Sequence, residues 1–441
     1  MPLMDRPPTV AELRAAAQAV GAVAVRTPLL RCDALSRATG ADVWLKPENL
    51  QHTGSYKVRG AYNKIRLLPA AARARGVITA SAGNHAQGVA LAARRLKVPA
   101  VVVMPASAPI TKVMATRELG AEVVLHGETF EEAQTRARTL EAERGLTFVH
   151  PFDDWEVIAG QASVAFEVLE DFPPAAGRPG PDALIVPVGG GGLLAGIRLA
   201  LDAAGAGGTA AASSEGGPQR QPRAPDRAVR LIGVQARGAD ATVQSLAAGQ
   251  AIAIEPARTI ADGIRVGRPG ERPLQALLGR PIELLTVADD DIARAMTYLL
   301  ERTKLVVEPA GAVGVAALLA GLVRLAPGEA ACVVLSGGNV DVNLLARIIE
   351  HGLTRAGRYL VIRTRLDDRP GQLAQLLAPL AAMRVNVIDI EHHRAGWLLP
   401  VGQSDVVLHL ETRDAAHARE ILATLRAAGY AVEALTPPRD E

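Results

Sequence analysis

Lys57 stands in the segment Gly54-Ser55-Tyr56-Lys57-Val58-Arg59-Gly60-Ala61 and is one of only six lysines among 48 basic residues. The apolar stripe Val58, Ala61, Ile65, Leu68 predicts a helix with Ser55 as its cap and Lys57 in the first turn, off that stripe. The positive end of a helix and partial burial both disfavour an ammonium ion, so the amine is expected to lose its proton more readily than a free lysine. That is the property a lysine needs to act as a nucleophile towards a carbonyl group. A lone lysine is more often a solvated surface residue; three further segments change the weighing.

The run Gly189-Gly190-Gly191-Gly192-Leu193 follows an apolar strand, Leu184 to Val188, and opens a helix. Backbone N–H groups at such a junction bind phosphate, and glycine lets the anion come close. No Lys-Ser or Lys-Thr follows, which excludes a Walker A loop, and the G-x-G-x-x-G spacing of a dinucleotide site is absent. Ser81-Ala82-Gly83-Asn84-His85 lies between a strand and a helix. Asn84 suits a contact to a phenolate oxygen, and Ser81 with the following backbone amides suits a substrate carboxylate; helix capping by either residue is the competing reading. Ser336, in Ser336-Gly337-Gly338-Asn339, follows the strand Cys332–Leu335. An amine, an anion cradle and two polar side chains form the set that holds pyridoxal phosphate as a Schiff base. A hydroxyl rather than a carboxylate opposite the ring nitrogen leaves the ring neutral, a weaker electron sink that favours prompt loss of a β-leaving group.

These groups must be positioned by elements legible in the pattern. From Gly76 to Pro151, strands at Val77–Ala80, Ala100–Val103, Glu122–Leu125 and Thr147–Val149 alternate with helices near 84–96, 111–119 and 128–143. A second series has strands at Ala183–Val188, Arg230–Gln235, Glu283–Val287 and Ala331–Leu335, with helices near 191–202, 289–303, 309–323 and 340–351. Continuous apolar strands alternating with helices predict two doubly wound α/β units with parallel sheets and a ligand cleft at the carboxyl ends of the strands. From Tyr359 the order becomes βαββαβ, a ferredoxin-like unit. The expected division is a catalytic region at 1–352 and a regulatory domain at 357–441. Within the first, a large domain comprises 1–50 and 151–352, a small domain 51–150, and a flexible insertion 203–228.

Bulk properties narrow the class. The 441 residues are 49% hydrophobic and 21% charged with net charge +2, which gives no reason to expect nucleic acid or a membrane surface. Cys32 and Cys332 are the only cysteines, too few for a disulfide framework or a zinc cluster, so a reducing cytoplasm is expected. The first thirty residues resemble no signal peptide, and the longest apolar run, Ala310–Val323, is too short and glycine-rich for a membrane span.

The four segments together resemble the threonine dehydratase (threonine ammonia-lyase) family of type II pyridoxal-phosphate enzymes. Lys46-Pro47-Glu48-Asn49-Leu50-Gln51, Ala261-Asp262-Gly263-Ile264 and Val307-Glu308-Pro309-Ala310-Gly311-Ala312 match as well. The resemblance implies the tryptophan synthase β-like fold, with Lys57 carrying the coenzyme, Asn84 on its hydroxyl, Gly189 to Leu193 on its phosphate and Ser336 facing its ring nitrogen. It implies conversion of L-threonine to 2-oxobutanoate and ammonia, with L-serine as a slower substrate. Lys57 and Ser81 are then the catalytic residues, with Lys57 taking the α-proton, and Ser81, Ala82, Gly83, Asn84 and His85 contact the substrate.

Two departures bear on relatives. Serine racemases of this fold have a serine where Ala82 stands, so racemisation is disfavoured here. They also bind a divalent cation through carboxylates where this chain has Gln235 and Ala241, so no such metal site is expected. The carboxy-terminal unit resembles an ACT domain, through Asp368-Arg369-Pro370-Gly371-Gln372-Leu373 and Asn386-Val387-Ile388. This implies an amino-acid effector, isoleucine or valine, at Arg369, Pro370, Gly371, Asn386 and Val387, and a homodimer or homotetramer. A dimerisation module without a ligand is the alternative. Competing functions are a serine or hydroxyaspartate dehydratase or racemase, and a catalytically silent amino-acid sensor.

Overall fold

The computed structural model describes residues 5–173, 180–207, 229–355, 357–394 and 400–436. It falls into two compact units, 1–340 and 341–441. The division lies ahead of the helix Val342–Arg355, where the pattern alone suggested 353–358.

The first unit holds two sheets. One has strand order Glu122–Leu125, Ala100–Met104, Val77–Ala80, Thr147–Phe148, all parallel. The other runs Leu30–Arg31, Asp42–Pro47, Ala330–Leu335, Ala183–Pro187, Arg230–Ala236, Ile282–Val287, parallel but for the short first strand. The central strands Val77–Ala80, Ala100–Met104, Ala183–Pro187 and Ala330–Leu335 are buried at every position. That is why their sequences are unbroken apolar runs. Glu122–Leu125 lies at an edge and is half exposed, so its apolar run overstated its burial. Residues 30–47 add two strands that alternation of later elements did not announce. The helix Gly192–Gly207 takes in the first five positions of the expected insertion 203–228, and positions 208–228 lie outside the described residues.

The helix Lys57–Leu67 packs closely on two neighbours, Asn84–Leu96 and Trp155–Gln161. Glycine permits both approaches: a Cβ at Gly88 would lie 2.9 Å from the Lys57 carbonyl carbon, and one at Gly60 would lie 2.7 Å from the Val157 oxygen. A buried charge network anchors the same helix two residues beyond Lys57. Arg59 donates to Glu48 at 2.7 Å and to Glu167 at 2.6 Å, while Lys46 reaches Glu167 at 2.6 Å and the Thr27 carbonyl at 2.7 Å. Two cations face two carboxylates there, so no charge is left uncompensated.

In the second unit an antiparallel sheet has the order Val387–His393, Gln403–Glu411, Tyr359–Asp367, Glu433–Ala434. Tyr359–Asp367 alternates between buried and outward positions, as a sheet covered on one face does. Helices Gln372–Ala382 and Ala415–Ala427 supply the cover through Leu376, Leu380, Ile421 and Leu425.

Candidate active site

The first unit contains a cleft of about 490 Å³, open solvent at its mouth included, lined by Tyr56, Lys57, Asn84, Phe152, Gly189, Gly190, Gly191, Gly192, Leu193, Glu308 and Ser336 among others. Residues as distant in sequence as Tyr56 and Ser336 meet here because the strands before Asn84, Gly189 and Ser336 all end towards it.

Lys57 is the first residue of its helix. Tyr56 is the cap residue and makes no side-chain cap bond, so Ser55 does not cap as its sequence position suggested; instead it forms a bridge with Gly337, its hydroxyl buried without a partner. The Lys57 amine donates to the Pro151 carbonyl at 3.0 Å and lies 5.3 Å from the centre of the Tyr56 ring. Burial lowers its pKa from 10.5 to about 8, with Glu308 pulling the other way.

Three of the four glycines leave no room for a side chain. A Cβ on Gly190 would lie 2.5 Å from ring atoms of Phe152, one on Gly192 2.9 Å from the Phe152 Cβ, and one on Gly191, whose φ is +91°, 2.9 Å from Pro273. The run lines the cleft with backbone alone, Phe152 packed close against it, and the helix Gly192–Gly207 begins at the run's end. This bare helix-start cradle beside a readily deprotonated lysine fits pyridoxal phosphate: an anion site for its phosphate and an amine for its aldehyde.

Asn84 opens the helix Asn84–Leu96, whose cap residue is Gly83, without a side-chain cap bond. Its amide reaches across the cleft, donating to Glu308 at 2.6 Å and accepting from Asn339 at 2.7 Å. The capping reading of Asn84 therefore does not hold. Ser81 accepts from the Gly83 N–H at 3.2 Å, within its own loop, and Ala82 packs on the neighbouring apolar cluster. His85 is not brought to the cleft. It is buried, its Nε2 meets the Val149 carbonyl at 2.9 Å, and burial pushes its pKa down to about 3. A carbonyl only accepts, so Nε2 carries the hydrogen and the ring is neutral. A helix turns successive residues to different sides, so the neighbour of a cleft residue points elsewhere.

Glu308 is the residue the motifs left without a role. It is buried, and burial first, then Asp262, raises its pKa to about 7. A single carboxyl within the apolar stretch Leu305–Leu319 was the available signal. Gln235 bonds to the Ala239 carbonyl and the Val243 N–H, so its side chain is engaged with backbone.

The effector residues do not converge within one chain. Arg369, Pro370 and Gly371 follow the end of Tyr359–Asp367, whereas Val387 pairs with Leu410 near the beginning of that strand's side of the sheet. Seven residues of Gln403–Glu411 separate the two levels, about 23 Å at about 3.3 Å per residue. Arg394, which meets Asp368 at 3.3 Å, and Gly402, whose carbonyl accepts from the Asp368 N–H at 2.8 Å, lie by the turn instead. Both strands flanking Gln403–Glu411 run the same way, so the start of one cannot sit beside the end of the other.

Comparison with known proteins agrees with the geometry. Residues 22–337 match the family described as "Pyridoxal-phosphate dependent enzyme", and residues 360–427 match the ACT domain. The chain is 42% identical to an L-threonine ammonia-lyase of Thermotoga maritima, over 96% of this chain and 98% of that one. It is 44% identical to an L-threonine ammonia-lyase of Geobacter sulfurreducens, over 93% and 95%. Among solved structures, a T.th. threonine deaminase superposes with a TM-score of 0.66 at 40% identity, covering 76% of this chain and 99% of that one. Maize serine racemase gives 0.68 at 30% identity, covering 79% and 98%. The chain belongs to the pyridoxal-phosphate dependent enzymes, and within them to the threonine ammonia-lyases, with an ACT domain at its carboxy end.

Proposed function

We propose that this chain converts L-threonine to 2-oxobutanoate and ammonia, with L-serine as a slower substrate, under control of its ACT domain. The observation that carries this is the Lys57 amine, its pKa lowered to about 8, facing the same cleft as the glycine cradle, Asn84 and Ser336. Lys57 would hold the coenzyme's aldehyde carbon, Gly189 to Leu193 its phosphate, Asn84 its ring hydroxyl and Ser336 its ring nitrogen. When bound, the coenzyme supplies an electron sink for the charge left at the substrate α-carbon. Lys57 Nζ takes the α-proton, and its low pKa keeps the free base available near neutrality. The loop Ser81–Gly83 and the amides that open the following helix hold the substrate carboxylate. Ala82 offers no proton to the opposite face, so elimination prevails over racemisation.

The test is keto-acid release from L-threonine and from L-serine, with Lys57→Ala as control. The wild type should be yellow and active and the variant colourless and inactive; a wild type that stays colourless with added coenzyme refutes the reading. For control, the ACT domain supports a small amino-acid effector, isoleucine or valine, acting on a homodimer or homotetramer. Turnover that does not change across an isoleucine and a valine titration removes both as effectors, and light scattering at working concentration decides the assembly.

A further inference from the structure

Four polar groups, two of them lining the cleft, fix each other's orientation, starting from a group with no choice. The Thr53 carbonyl only accepts, so the atom of Asn339 that meets it at 2.7 Å is its amide nitrogen. The same nitrogen meets Asn84 at 2.7 Å, which must therefore present its oxygen. The Asn84 nitrogen is then left facing the Glu308 carboxyl at 2.6 Å. One of its two N–H bonds is engaged there and the other is available to the cleft, which both residues line.

The backbone is shaped around this chain of bonds. A Cβ at Gly54, whose φ is +67°, would lie 2.5 Å from the Asn339 oxygen, and one at Gly337 would lie 2.5 Å from a Glu308 oxygen. The Glu308 N–H in turn donates to the Gly337 carbonyl at 3.0 Å. A buried carboxyl held in a slot that glycine alone permits is costly to keep unless it has a task. Asp262, Lys112 and Lys57 are the charged groups that act on it or feel it, and among the described residues it is the only carboxyl lining the cleft.

We propose that Glu308 is the positioning residue of this site, orienting the Asn84 amide, together with Asn339, so that its second N–H is presented to the ring hydroxyl of the coenzyme. The inference rests on the coenzyme reading above. Glu308 touches no reacting atom in this role; it acts through Asn84.

The experiment measures coenzyme affinity and the visible absorption band of the bound coenzyme in four full-length proteins, with thermal melts of each. Glu308→Ala should weaken binding about tenfold and shift the band, because the Asn84 amide is freed to rotate; this is the effect of about one charge-assisted hydrogen bond. Glu308→Gln should keep the band and stay within about threefold, since a glutamine oxygen still accepts the same N–H. The double variant Asn84→Asp with Glu308→Gln reverses the direction of the bond. It should melt like the wild type but show the shifted band, having no N–H left for the ring. A Glu308→Ala protein with wild-type band and affinity overturns the proposal, as does a reversed pair that restores both band and binding. If Glu308→Ala does not fold, the reversed pair alone decides. A wild type that takes up no coenzyme removes the underlying reading and the inference with it, whereas a yellow, active wild type with an unaffected Glu308→Ala removes only the inference.

Discussion

Replacing Lys57 with methionine should stabilise the coenzyme-free protein at neutral pH while abolishing activity. The side chain is half-buried in the cleft wall, and the pKa of its amine falls from 10.5 to about 8. At about 1.4 kcal/mol per pH unit, burying the charged form costs about 3 kcal/mol. Removing the amine also leaves the Pro151 carbonyl without its 3.0 Å donor, a loss of about 1–2 kcal/mol. The net gain expected at pH 7 is therefore about 1–2 kcal/mol. The sign with pH follows from proton binding. Between about pH 8 and 10.5 the unfolded chain binds more protons at this lysine than the native one, so wild-type stability rises with pH across that window. Below pH 8 the whole penalty is present; at pH 10 it has fallen to under about 1 kcal/mol, and the lost hydrogen bond outweighs it. Urea unfolding of both coenzyme-free proteins at pH 7 and pH 10 measures the difference; titrations of groups away from Lys57 cancel between them, and those of Glu308, His85 and His150, which feel its charge, lie below this window. A variant less stable at pH 7, or an advantage unchanged at pH 10, refutes the claim that the site holds its amine in a strained, readily deprotonated state.

Gly190→Ala should lower the stability of the coenzyme-free protein by about 1–3 kcal/mol, because the new methyl must displace the Phe152 ring it would approach to 2.5 Å; urea unfolding measures it. Arg59→Met should lower stability by about 3–5 kcal/mol, since Glu48 and Glu167 lose their buried partner, and denaturant unfolding of the coenzyme-free protein checks it.

Much of the site was legible in the chain. Lys57, Asn84, the run Gly189 to Leu193 and Ser336 line one cleft; the segments of Asn84, Gly189 and Ser336 each follow the end of a strand, the junction at which chemistry collects in α/β sheets, and Lys57 opens a helix. His85 was misplaced because adjacency in sequence is not adjacency in a helix, and Ser55 because a preference for capping yields to tertiary pairing with Gly337. The strands at Leu30–Arg31 and Asp42–Pro47 went unseen because they join their sheet from the far end of the sequence, outside the alternating period.

The sequence by itself determined the period of the elements, the identity of the chemical groups and the βαββαβ order that begins at Tyr359. Those are local properties: apolar alternation, glycine runs and the residue types a coenzyme requires. Only the tertiary structure decided that Glu308 and Asn339 close on Asn84 across more than two hundred residues, that Arg59 and Lys46 balance Glu48 and Glu167, and that Asn386 lies at the opposite level of its sheet from Gly371. Each of these depends on which strands are neighbours and in which register. No stretch of chain carries that information alone, because the free energy that selects it comes from burying all the elements at once.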